Sequence, residues 1–146
     1  MRNILIISIL SWLTLTSCTS NERDKKESLE TLLKDRYNIS IQRYKAVVLI
    51  PSSGCNECIN EAEGLLQQEF NKDVSDYLFL ITGYEHSKTA KIRLGESALG
   101  KNYILLDTLS HFTPFINNGK PIVYRIENNK FYEARIDYSN NIYTLN

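Results

Sequence analysis

The chain has 146 residues, with 17 Lys and Arg balanced by 17 Asp and Glu. That length suits one domain, and the 42 % hydrophobic content is that of a globular protein rather than a disordered one. No basic excess is left to bind a nucleic-acid backbone, so no nucleic-acid partner is expected. Three cysteines are too few for a disulfide scaffold.

The N-terminus comes first. Arg2 supplies a positive charge, and Ile4 to Leu13 form an apolar run too short to span a bilayer. Leu15-Thr16-Ser17-Cys18 follows, a branched apolar residue and two small ones before a cysteine. This ending resembles a bacterial lipobox. The resemblance implies a signal peptide over residues 1–17, cleavage before Cys18, and acylation of Cys18. Several acyl chains on one residue anchor stably where one is marginal. The expected location is the bacterial cell envelope, tied to a membrane and facing the periplasm or exterior. Removing the leader leaves 129 residues, and setting Cys18 aside leaves two cysteines for the folded part. Export places that part where disulfides persist.

Residues 18–28 are polar and charged without periodicity and read as a tether. The domain is expected over 29–146. Leu29, Leu32, Leu33 and Tyr37 predict a short helix that stops at Asn38. Ala46-Val47-Val48-Leu49-Ile50 predicts a buried strand, central and parallel, ended by Pro51-Ser52-Ser53-Gly54. Cys58, Ile59, Ala62, Leu65, Leu66 and Phe70 recur at helical spacing. Tyr77–Thr82 predicts a second buried strand. A weaker helix is expected from His86 to Leu99, and a short strand at Tyr103–Leu106. Ile122–Ile126 and Phe131–Ile136 flank Glu127-Asn128-Asn129-Lys130 and predict a β-hairpin. Alternating strands and helices followed by a hairpin give an α/β fold with a mixed sheet.

Cys55-Asn56-Glu57-Cys58 is a C-x-x-C motif placed directly after a buried strand and at the start of a helix. Unpaired N–H groups and the helix dipole at that end favour a thiolate at Cys55, the nucleophile. Cys58, one turn further in, is positioned to resolve a mixed disulfide.

This strand-turn-C-x-x-C-helix unit, together with Gly119-Lys120-Pro121 and the strand-turn-strand after it, resembles the thioredoxin-like superfamily over about residues 44–137. Leu105-Leu106-Asp107-Thr108 with Phe112 looks more like the exported TlpA/ResA-type members than cytosolic thioredoxin. The resemblance implies a central mixed sheet flanked by helices with a C-terminal β-hairpin. It also implies a cis Pro121 packed beside the dithiol, with Lys120, Pro121 and Gly54 bordering the substrate. The implied activity is thiol–disulfide exchange with exported protein disulfides or thiols, supplied with electrons by a membrane redox partner. Neither an organic cofactor nor a metal is implied.

The departures from the family pattern are specific. Gly54 stands where the family has Trp, Asn-Glu fills the C-x-x-C, and Leu49 occupies the place of a buried proton-accepting acid. No long C-terminal helix follows the hairpin. Glu57 has two readings, a proton relay replacing that acid or an ordinary first-turn helix acid. Competing uses of the cysteines are an inert structural disulfide, a zinc site short of ligands, copper delivery and a peroxidase. For copper delivery the C-x-x-C spacing is wrong. His86 is expected to begin a helix or lie exposed, and His111 to sit on the surface. Tyr124, Tyr132, Tyr138 and Tyr143 read as sheet packing, or as a sugar or peptide platform. The alternative to an oxidoreductase is a non-catalytic envelope lipoprotein that uses the fold as a binding module.

Overall fold

A computed structural model describes residues 20–128, 130–139 and 142–145. The leader and Cys18 lie outside the described residues. The chain forms two compact units, divided between Asn38 and Ile39.

Among its described residues the first unit contains one helix, α1 (Ser20–Tyr37). It begins within the segment read above as a tether, so residues 20–28 are helical. Charged Glu, Arg and Lys are good helix formers, and Ser28 Oγ donates back to the Asp24 carbonyl at 2.7 Å. Asn38 ends the helix as expected. It takes φ +53°, and its N–H donates to the Lys34 carbonyl at 3.0 Å, a left-handed cap.

The second unit is an α/β domain with the thioredoxin-like arrangement. Its elements are β1 (Ala46–Pro51), α2 (Asn56–Glu69), β2 (Tyr77–Thr82), α3 (Ser87–Leu94), β3 (Ile104–Asp107), β4 (Ile122–Glu127), β5 (Lys130–Ala134), β6 (Ile136–Ser139) and β7 (Ile142–Leu145). The five-stranded sheet has the order β3-β2-β1-β4-β5. β1 is central, parallel to β2 and antiparallel to β4, and all six of its residues are buried. An uninterrupted apolar run is what a strand covered on both faces requires.

The crossovers β1-α2-β2 and β2-α3-β3 step the same way across the sheet, so right-handed connection puts both helices on one face. Their apolar stripes (Ile59, Ala62, Leu65 and Leu66 on α2, Ala90 and Leu94 on α3) form one core with Val48, Ile50, Phe79 and Ile81. Val47, Leu49, Leu78 and Leu80 alternate to the other face and are equally buried.

Element boundaries also differ from the sequence reading within this unit. α3 stops at Leu94 instead of Leu99, because Gly95 takes φ +87° and its N–H caps the Lys91 carbonyl. The strand read as Phe131–Ile136 breaks at Arg135, so that β5 ends at Ala134 and β6 starts at Ile136. β6 then pairs with β7 in a second, separate two-stranded sheet that the sequence reading did not contain. This C-terminal hairpin lies on α2, where Gln68 bonds the backbone of Tyr143.

Candidate functional site

The carboxyl end of β1 leads through Ser52–Gly54 into α2. Ser52 fixes this turn to the end of β2: its N–H donates to the Thr82 carbonyl at 2.9 Å and its hydroxyl to the Gly83 carbonyl at 2.8 Å. Cys55 is the N-cap of α2, and its Sγ accepts the backbone N–H of Cys58 at 3.4 Å. A sulfur thus fills the place that a Ser or Asp oxygen usually takes. Cys55 and Cys58 are joined as a disulfide, with Cα atoms 5.4 Å apart, and both are half-buried. When that bond opens, the same N–H and the positive end of the helix face the Cys55 sulfur, an arrangement that favours an anion there.

Gly54 and Gly119 meet back to back. Gly54 takes φ +140°, and a Cβ on it would overlap the Gly119 carbonyl. Gly119 takes φ +62°, and a Cβ there would lie 2.9 Å from Gly54 Cα. The contact is closed by the Cys55 N–H, which donates to the Gly119 carbonyl at 3.1 Å. Two glycines are needed because two backbones touch. The absence of the family's Trp at position 54 follows from the same contact.

The loop that carries Lys120 and Pro121 therefore lies against the C-x-x-C turn, as the resemblance implies. The bond between them does not follow the expectation. The Lys120–Pro121 peptide is trans, and no cis bond occurs among the described residues. The chain reverses one step earlier. Asn118 (φ +54°) and Gly119 are both left-handed, and Lys120 N–H closes the turn on the Asn117 carbonyl at 3.1 Å. With the reversal made there, the proline has no turn left to supply.

A groove of about 520 Å³ runs beside Cys58, lined among others by Glu61, Asn117, Lys120, Pro121 and Arg135. Cys58, Lys120 and Pro121 are thus brought together. Glu57 is exposed on the first turn of α2. Of the acids that line the groove, Glu61 is the one carried by α2, and sequence reasoning missed it. Its spacing of three from Cys58 puts both on one helix face and was the available signal. Arg135 was missed because the strand was read straight through it.

Leu49 is fully buried on β1 and brings no acid under the sulfurs. A buried acid does occur at the carboxyl end of β3. Asp107 accepts the Thr82 hydroxyl at 2.8 Å and the Phe112 N–H at 2.9 Å. His111, expected on the surface, is half-buried, with its Nδ1 3.4 Å from the Asp107 carboxylate. His86 is exposed and sits at the N-cap of α3. Among the described residues no group of three or more His, Cys, Asp or Glu side chains converges to hold a metal ion. No described helix is long and apolar enough to cross a membrane.

The fold and the site define a thioredoxin-like α/β domain with a disulfide-bonded C-x-x-C pair at a helix N-terminus. The chain matches no protein-family model, and comparison with curated proteins and with solved structures returns no significant match.

Proposed function

We propose that this chain is a thiol–disulfide oxidoreductase, held to a membrane of the bacterial envelope by lipid on Cys18 and acting on exported proteins. The observation that carries the reading is the Cys55–Cys58 pair capping α2, half-buried and open to a groove. In the reduced form the Cys55 thiolate attacks one sulfur of a substrate disulfide. The substrate's other sulfur leaves as a thiolate, and a mixed disulfide forms. Cys58, deprotonated, then attacks Cys55 Sγ and releases the second substrate thiol. Two electrons pass to the substrate, and the pair ends oxidised. A dithiol partner, of the membrane-bound reductant class, reduces it for the next cycle. Lys120 and Pro121 border the groove, and Gly54 lets their loop reach the cysteines. The chemistry requires no cofactor.

The second reading, a binding module without turnover, is favoured by the trans Lys120–Pro121 bond, since the cis proline is the family feature that holds substrate backbone. One experiment separates the two. A reduced Cys58→Ala variant, exported in the cell of origin, is expected to collect mixed disulfides through Cys55 that a thiol reductant releases. The Cys55→Ala variant is expected to collect none. Absence of any adduct, with a wild-type disulfide that resists dithiols, would overturn the redox reading in favour of the binding module. The reduction potential of the pair then distinguishes donor from acceptor.

A further inference from the structure

Among the described residues the C-terminal hairpin pairs only within itself, between β6 and β7, so its place depends on what grips it. The grip is on α2, the helix that carries the cysteines. Gly64 lies under the Tyr143 ring, and a Cβ at 64 would overlap that ring. Gln68, one turn on, accepts the Tyr143 N–H and donates to the Tyr143 carbonyl at 3.1 Å. A glycine inside a helix is less favourable than alanine, and here it leaves the space that the ring fills. The other end of the hairpin has a different neighbour. Its root, Arg135 to Asp137, forms a wall of the groove beside Cys58. Gly64 is six residues beyond Cys58, about 9 Å along the helix. One helix therefore carries the disulfide at its front and fixes the groove's wall from its middle.

The groove itself indicates what it accepts. Pro121, Ile122, Val123, Ala134 and Ile136 supply an apolar floor, and Glu61, Lys120, Arg135 and Asp137 supply charges of both signs. Its volume suits a few residues of chain. A small anionic disulfide would gain little from that floor and would meet acids as well as bases at the rim.

We propose that the Gly64–Gln68–Tyr143 clip is a positioning device for substrate specificity. It holds the hairpin root so that the groove takes an extended polypeptide with an apolar residue next to its cysteine, in preference to small disulfides. The inference rests on the redox reading above for its turnover measurements.

The test compares wild type with Tyr143→Ala, Tyr143→Phe and Gln68→Ala on two substrates: a peptide disulfide with an apolar neighbour to its cysteine, and 5,5′-dithiobis(2-nitrobenzoic acid). Tyr143→Ala is expected to raise KM for the peptide about tenfold. The rate with the small disulfide and the reduction potential should stay as in wild type. Tyr143→Phe, which keeps the ring, is expected to keep the wild-type peptide KM. Gln68→Ala, the milder change, is expected to raise it about threefold and carries the test if Tyr143→Ala does not fold. An equal loss on both substrates, or no change on the peptide, would overturn the proposal. Binding of the same peptide with serine for cysteine to the oxidised protein is measured alongside and needs no turnover. Weaker binding by Tyr143→Ala supports the clip even where wild type proves inert, an outcome that would sink only the redox reading. Equal binding by the two proteins would overturn the clip.

Discussion

At the scale of single residues, the contact between Gly54 and Gly119 explains more of the site than the cysteines do. The C-x-x-C pair was legible because two cysteines at that spacing, after a buried strand and before an apolar helical stripe, leave few other readings. Gly54 read as a departure from a family pattern, and its reason is a backbone touching it from residue 119, which no local pattern reveals. The proline was misread for a related reason. The sequence Gly119-Lys120-Pro121 is equally consistent with a turn made at the proline or before it, and left-handed Asn118 and Gly119 make it before. Gly54→Ala forces a side chain into the Gly119 carbonyl and demands a left-handed φ from alanine. The variant is expected to lose roughly 2–4 kcal/mol of stability, the scale of a severe backbone clash, and most of its exchange activity. Urea denaturation of the oxidised protein checks the first, and turnover of a peptide disulfide the second.

Among elements, α2 is fixed at both ends, and its far end shows how. Glu69, nearly fully buried, accepts the Ser75 hydroxyl at 2.6 Å and pairs with Lys72. The Tyr103 hydroxyl reaches across from just before β3, donating to the Glu69 carbonyl at 2.7 Å and lying 3.0 Å from that of Lys72. Orphan carbonyls at a helix end are satisfied this way. Burial first, and then the nearby Glu69 and Asp73 carboxylates, raise the Tyr103 hydroxyl above its ordinary 10.0. Burial raises Tyr84 likewise, and the hydrogen bond to Glu69 raises Lys72. A raised folded-state value means stability that is complete below the unfolded value and lost as pH climbs through the folded one. Unfolding midpoints in urea are therefore expected to hold from neutral pH to about 10 and to fall above it. Tyr103→Phe should cost about 1 kcal/mol at pH 7, for the lost hydrogen bond, and fall less steeply above pH 10. The periodic apolar runs made the helices and inner strands legible. The ends were not, because Gly95 stops α3 through its φ, and Arg135 divides two strands whose alternation continues through it.

For the whole domain, the α/β order and the central, parallel β1 were readable from the sequence, whereas the β6–β7 hairpin was not. Its residues carry no run long enough to signal burial, and its place depends on Gly64 and Gln68, some 75 positions earlier. The core that joins Val48, Ile50, Phe79 and Ile81 to the two helices includes neither cysteine. A cross-link between residues three apart closes so small a loop that its chain-entropy contribution is about 2 kcal/mol. The double variant Cys55→Ser, Cys58→Ser is expected to keep the wild-type circular dichroism spectrum and to lose no more than about 2 kcal/mol. Chemical denaturation checks this. A larger loss would assign the pair a structural role.

The position of β1 has a consequence for biogenesis. Its partner on one side, β2, follows about thirty residues later, but its partner on the other, β4, is reached only at Ile122. Until then the inner edge of an uncharged run, Ala46 to Ile50, has no strand to satisfy it. Such a segment is a template for misassociation. A ribosome delivers this chain from its N-terminus, so most of the protein must emerge before this strand is closed in on both sides. Chaperone protection during delivery matters most over that interval.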